Sequence, residues 1–165
     1  MSILIIFTDQ FWKHEWDKHG TCAMQLEALD SELKFFQKGL ELNEKYPISE
    51  YLSESNIIPG GVYTSDSIVK ALKKHLNGKN PGLECEKVDN FVNPVLYQIS
   101  VCLDKQFNVI DCDVAHGGVF GHCPQFDEIE YPKTEKRDQS GSGLGKFLVN
   151  TFLYSFEFKI TKMNL

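Results

Sequence analysis

Apolar residues recur along this chain with two different periods, and the change of period divides it. Leu26, Leu29, Leu33, Phe36 and Leu40 follow one another at intervals of three, four, three and four, the spacing of one helical face, and that helix ends before Pro47. A second stripe, Ile68, Val69, Leu72 and Leu76, follows Ser65 and Asp66, either of which can cap its start, and Gly78 stops it. Between them Ile48 to Ser53 reads as a short helix and Asn56-Ile-Ile-Pro-Gly-Gly61 as a turn. Upstream, residues 3–7 can pair as a short strand, and Phe11 to Cys22 reads as a helix with Gly20 as its weak point. Beyond Pro81 the period becomes two. Tyr97, Ile99, Val101 and Leu103 alternate with Gln98, Ser100 and Cys102, the pattern of a half-buried strand. Asp104-Lys-Gln106 turns it back into Phe107, Val109 and Ile110, and Gly117, Gly118 and Gly121 punctuate the loop that follows.

Helical and alternating segments in one short chain make an α+β domain, expected over residues 1–132. The polar, glycine- and serine-rich stretch 133–145 reads as a linker, and the aromatic stretch 146–165 as a tail. At 165 residues the chain is long enough to bury about 70 % of its unfolded surface. No repeat is evident, and no run approaches the ~20 apolar residues of a membrane span. Residues 2–7 are apolar but lack a basic flank and are too short for a signal peptide, and no Asn-x-Ser/Thr sequon occurs. Seventeen Lys and Arg against 23 Asp and Glu give a net charge of −6 and a pI near 5.3. That balance opposes polyanion binding at neutral pH. The five histidines gain protons, and carboxylates begin to lose charge, near about pH 5.

The chemistry is concentrated in Phe11-Trp-Lys-His-Glu-Trp-Asp-Lys-His-Gly-Thr-Cys22. On a regular helix His14, Glu15, Lys18 and His19 fall within a sector of about 140°. His14 precedes Lys18 by one turn, and Glu15 precedes His19 by one turn, the spacings at which side chains touch. Taken singly these are ordinary solvated pairs, worth a few tenths of a kcal/mol. Together, a base, an acid and two cations can hold a phosphate and move a proton. A zinc protease would need His-Glu-x-x-His; here the second histidine comes one residue late. On a regular helix His14 and His19 then diverge by about 140° and cannot share one metal ion.

The string His14-Glu-Trp-x-Lys-His-Gly-Thr-Cys22 resembles the second catalytic segment of the ribonuclease T2 family, the acid ribonucleases that include the plant S-ribonucleases. The likeness extends more weakly to Tyr131-Pro132, chiefly through cysteine spacing. It implies a twisted antiparallel sheet packed against helices, one of which presents the catalytic groups. It also implies cleavage of single-stranded RNA by transesterification, with no metal or other cofactor and no membrane, by a monomer of the secretory pathway, extracellular or lysosomal. Carried over by position, His19 would be the base, Glu15 and Lys18 would support the phosphorane, and His14 would contact phosphate. Trp12 and Trp16 are candidates for stacking on a base, against a simpler role in core packing.

Five cysteines point to an oxidising compartment. Cys102 and Cys112 flank the hairpin and Cys85 and Cys123 bracket it, so nested pairs Cys85–Cys123 and Cys102–Cys112 are favoured, in keeping with the order of C-terminal cysteines in the family. Cys22 is left over; the family pairs its equivalent with a cysteine upstream of the catalytic helix. A metal site from Cys112, His116, His122 and Cys123 is the alternative, with spacings that match no compact zinc knuckle. The family also carries an earlier segment typified by His-Gly-Leu-Trp-Pro, whose histidine protonates the leaving oxygen, and none of these 165 residues spells it. The expectation is therefore the C-terminal part of a T2-type ribonuclease, impaired as it stands. A catalytically dead RNA-binding remnant and a disulfide-held secreted interaction module are the alternatives.

Overall fold

The computed structural model describes residues 12–89, 91–112, 123–124 and 127–133, with the backbone alone at 157–160. The expected strand at 3–7, the glycine loop at 117–121 and most of the linker at 133–145 lie outside the described residues. The chain divides after Tyr46 into two compact units.

The first unit is helical. Helix α1 (residues 12–15) runs into a π-helical turn, Trp16–Gly20, and then into the short helix α2, Thr21–Ala23. A 3-10 turn, Glu27–Leu29, leads to α3, Glu32–Lys45. The expected long helix from Leu26 is corrected here. Ser31, in extended conformation, accepts a hydrogen bond from the Lys34 amide at 3.4 Å and starts the helix at Glu32. Lys34 reinforces that start by pairing with Asp30 at 2.8 Å and donating to the Glu27 carbonyl at 3.0 Å. With Leu26 and Leu29 outside it, the helix takes its phase from other residues. Leu33 and Leu40 stand 66 % and 60 % exposed, while Leu42 and Tyr46 are buried and Phe35 and Phe36 half-buried.

The second unit is a sheet with helices at its start. Helix α4, Ile48–Ser53, buries Ile48 and Leu52. Gly60, at φ +90°, donates its N–H to the Tyr131 carbonyl at 2.6 Å, and Tyr131 returns a bond to Gly61 at 2.9 Å. Those bonds fix the pairing of β1, Val62–Thr64, with β5, Glu128–Glu130. The cap of α5, Ser65–Lys73, is Thr64 rather than Ser65 or Asp66, its hydroxyl accepting from the Ser67 amide at 3.2 Å. Ile68, Val69, Leu72 and Leu76 are all buried as their spacing predicts. The stop is also where expected: Asn77 and Gly78 take positive φ, and the Gly78 amide bonds back to the Lys73 carbonyl.

Strand β3, Val95–Leu103, is the centre of the sheet. It pairs antiparallel with β2, Gly82–Glu86, and with β4, Val109–Ile110. It runs parallel to β5 at one position, Val95 against Glu130, and parallel to β6, Glu157–Ile160, from Ser100 to Leu103. Because a strand has two edges, β2 and β4 share one and β5 and β6 the other. The expected α+β class holds, the expected antiparallel sheet is a mixed one with two parallel pairings, and part of the tail joins it. Alternation of polar and apolar residues in Glu157-Phe-Lys-Ile160 is the strand period that accounts for this.

Strand β3 is also more buried than a half-exposed strand. Tyr97 is its one exposed residue, while Gln98, Ser100 and Cys102 on the expected outer face are 6 %, 4 % and 1 % exposed. Gln98 and Ser100 answer for their burial by bonding to each other at 3.1 Å. Cys102 is joined to Cys112, and Cys85 to Cys123, as the nested reading expects. The metal alternative falls with that result, since Cys112 and Cys123 are disulfide sulfurs; His116 and His122 lie outside the described residues. Asp111 fastens the start of β2 to the end of β4. It accepts from the Asn80 amide at 2.9 Å, from the Asn80 side chain at 3.0 Å and from Lys79 at 3.1 Å.

Candidate active site

All four candidate ionisable residues lie on the helical run from residue 12 to residue 23, and its placement within the first unit has a clear cause. Trp12 meets the edge of Phe36 with centroids 4.6 Å apart, and Trp16 meets Phe35 at 5.8 Å. Phe35 and Phe36 are themselves edge to face at 5.2 Å. This aromatic cluster holds α1 and the π turn against α3, each pair being worth about 0.5–1.5 kcal/mol beyond burial. For the tryptophans it supports the packing role, although Trp12 remains 42 % exposed.

His14, Lys18 and His19 are exposed. Glu15 is less so, at 24 %, and its carboxylate lies 4.0 Å from the His19 Nε2. The structure therefore brings Glu15 and His19 together as their spacing predicts. The separation is beyond hydrogen-bonding distance, a loose contact that is an ion pair when the imidazole carries a proton. Among the described residues His14 and Lys18 have no hydrogen-bond or ion-pair partner, so both are available to an incoming anion. Lys13 instead pairs with Asp17 at 2.9 Å, and that hydrogen bond and charge raise the Lys13 ammonium above its usual pKa.

The π turn changes the geometry that a regular helix implies. The Thr21 amide bonds to the Trp16 carbonyl, five residues back, so the helix rotates less per residue here than α-helical spacing assumes. The divergence of about 140° between His14 and His19 holds only for a regular helix; a π turn between them reduces it. Gly20 is correspondingly more than a weak point. It is buried, and a Cβ there would land on the indole of Trp16. Absence of a side chain lets that ring lie across the backbone. Sequence reasoning missed the turn, and the signal available was a tryptophan four residues before a glycine. Among the described residues no group of three or more His, Cys, Asp or Glu is placed to hold a metal ion.

His75, which beside Lys73 and Lys74 reads in the sequence as part of a solvated face, is instead packed. Its ring stacks on Tyr51 with centroids 4.2 Å apart, and its Nε2 lies 3.3 Å from a Glu54 carboxylate oxygen. It is a brace between α4 and the end of α5. Cys22 is a free and exposed thiol.

Comparison with known proteins identifies relatives. The model of the ribonuclease T2 family matches residues 7–112. Ribonuclease Oy of Magallana gigas is 38 % identical over 127 residues, which are 75 % of this chain and 59 % of that protein. Among solved structures, human RNase T2 superposes with a TM-score of 0.61 at 28 % identity, covering 75 % of this chain and 61 % of that one. RNase NT, solved in complex with 5'-AMP, superposes with a TM-score of 0.59 at 37 % identity, covering 74 % of this chain and 57 % of its own. The chain spans about three-fifths of the length of these relatives.

Proposed function

Since the chain belongs to the ribonuclease T2 family, we propose that the protein cleaves single-stranded RNA through the helical run at residues 12–23. The observation that carries this reading is the Glu15–His19 pair at 4.0 Å, with His14 and Lys18 exposed on the same run. His19 takes the proton of a ribose 2'-hydroxyl, and the freed oxygen attacks the adjacent phosphorus. The bond from phosphorus to the 5'-oxygen breaks, leaving a 2',3'-cyclic phosphate. Lys18 and Glu15 support the phosphorane between these states, the ammonium by offsetting its growing negative charge. His14 donates to a non-bridging oxygen. No step calls for a metal ion.

The 5'-oxygen must leave with a proton, and we assign that proton to no residue here. The family draws it from the His-Gly-Leu-Trp-Pro segment, which these 165 residues do not spell. The 165 residues by themselves are therefore expected to turn over at least ~10²-fold more slowly than a protein with both segments, the lower bound for losing one acid–base partner. The net charge of −6 repels RNA at neutral pH and eases as carboxylates protonate, so activity is expected below neutrality. Two disulfides support an oxidising compartment, hence the secretory pathway.

The test is cleavage of single-stranded RNA at pH 5 in the presence of a chelator, comparing the 165 residues, a protein joined to the missing segment, and the His19→Ala form of each. Cleavage that depends on His19 and is stronger with the added segment supports the reading. RNA binding without His19-dependent cleavage in either form would replace it with the binding-remnant reading.

A further inference from the structure

The π turn that carries Lys18 and His19 is held by two residues outside the catalytic set. In an α-helix the Thr21 amide would bond to the Asp17 carbonyl; here it bonds to the carbonyl of Trp16. The Asp17 carbonyl thus loses the partner that a regular helix would give it. The Thr21 hydroxyl takes up that place, donating to the Asp17 carbonyl at 3.1 Å. One residue therefore makes both bonds: its amide defines the wide turn, and its side chain bonds to the carbonyl that the amide has left. Without the hydroxyl, the Asp17 carbonyl is open again to the Thr21 amide, which is the α-helical register.

Gly20 acts from the other side. Any side chain there would collide with the Trp16 indole, and Trp16 is fixed against Phe35. A Cβ would have to push the ring off the backbone or shift the residues between them, Lys18 and His19. The wide turn sits between Glu15 and His19, so its register sets how far apart their reacting groups lie.

We propose that Gly20 and Thr21 are positioning residues that lock the π turn and so set the register of His19 and Lys18 against His14 and Glu15. This rests on the catalytic reading given above and extends it to residues that touch no substrate. The lock depends on a hydroxyl in the case of Thr21 and on the lack of a side chain in the case of Gly20, so each has its own diagnostic substitution. Thr21→Val keeps the shape and removes the donor, while Thr21→Ser keeps the donor.

The experiment joins two measurements on Thr21→Val, Thr21→Ser and Gly20→Ala, made in the protein carrying both catalytic segments. One is the through-hydrogen-bond NMR coupling of the residue-21 amide, which identifies the carbonyl it bonds to. The other is kcat and KM on single-stranded RNA at pH 5. In the unaltered protein and in Thr21→Ser the amide couples to the Trp16 carbonyl. In Thr21→Val it moves to the Asp17 carbonyl. Displacement of reacting groups by a fraction of an ångström to one ångström then lowers kcat by about ten- to a hundredfold while KM stays within about twofold. Gly20→Ala shows the same split if it folds, and the threonine pair decides the matter if it does not. Retention of the Trp16 coupling in Thr21→Val overturns the lock. A moved coupling with unchanged kcat overturns its positioning role, as does a loss in Thr21→Ser equal to that in Thr21→Val. Because the coupling is read without substrate, a failure of the ribonuclease reading, seen as indifference to His19→Ala, remains distinguishable from a failure of the lock.

Discussion

The two units differ in what they bury. Among the described residues of the helical unit the buried apolar side chains are Ala23, Leu29, Leu42 and Tyr46; His14, Lys18 and His19 stand exposed and Glu15 half-buried. In the sheet unit β3 is buried at every position but Tyr97, and two disulfides tie β2 and β3 to the chain beyond them. The candidate catalytic residues lie where burial is thin, on a helical run held by ring edges. Stability is placed where no candidate catalytic group lies. The two kinds of residue are therefore expected to respond to different substitutions.

The sharpest break in that comparison is a pair of substitutions, one in each unit. His19→Ala is expected to lower kcat of the RNA-cleaving protein by ~10²–10⁴-fold, about 3–5 kcal/mol of barrier, while leaving the melting temperature unchanged. The His19 side chain is 53 % exposed, so truncating it opens no cavity. Leu103→Ala does the reverse. That side chain is fully buried, and its loss is expected to cost about 2–5 kcal/mol of stability. Denaturant titration followed by circular dichroism reads the second effect. Both tryptophans of the chain are in the helical unit, so their fluorescence reports whether His19→Ala has disturbed it. A large loss of stability in His19→Ala would erase the distinction between the units.

Somewhat smaller is the effect of removing the disulfides. Replacing the Cys102–Cys112 pair by serines is expected to destabilise the protein by about 2–4 kcal/mol, and replacing Cys85–Cys123 by as much or more, since it closes 38 residues rather than 10. Non-reducing peptide mapping checks the pairing itself. Cys22 should be found alkylatable; a bond from Cys22 to any of the other four would contradict it.

These two regions were also unequally legible in the sequence. The stripe Ile68, Val69, Leu72 and Leu76 announced α5 by its spacing, and the nested cysteines were favoured by their order about the hairpin together with the family resemblance. What spacing could not decide was how many neighbours a strand has. Alternation over 97–103 describes a half-covered strand equally well, and only pairing of β3 on both edges, with Gln98 and Ser100 bonded to each other, explains its burial. In the helical unit the chemistry was legible as a motif and the packing was not. Leu26 to Leu40 fitted a helical stripe well, but Ser31 caps inside it, and the buried residues follow a phase set by Phe35 and Leu42. The π turn went unread for a related reason, although Trp16 four residues before Gly20 is its mark. A regular rotation per residue was assumed across Gly20, where tertiary contact of one indole alters it.

The smallest effect expected here belongs to the sheet unit and depends on pH. Asp111 accepts the Asn80 amide and side chain and the Lys79 ammonium, and these bonds, the Asn80 amide foremost, hold its carboxyl below the usual carboxylate range. A group whose pKa is lower folded than unfolded binds fewer protons in the native state. Its stabilisation is then fully present above the unfolded value of about 3.9 and is lost as pH falls through the folded value. Asp111→Ala is expected to cost about 1–2 kcal/mol at pH 7, toward the low end for bonds to a charged group because the side chain is 43 % exposed. The deficit should stay level from pH 7 down to about 5 and shrink below about pH 4, as the unaltered carboxylate also becomes protonated. Paired melting curves across that range measure it. A deficit that grows on acidification would mean that Asp111 is held protonated in the folded state, and that the clasp between Asn80 and β4 is not ionic. The prediction bears on the proposed function too, because a protein acting near pH 5 keeps this clasp closed, with the Asp111 carboxyl still charged.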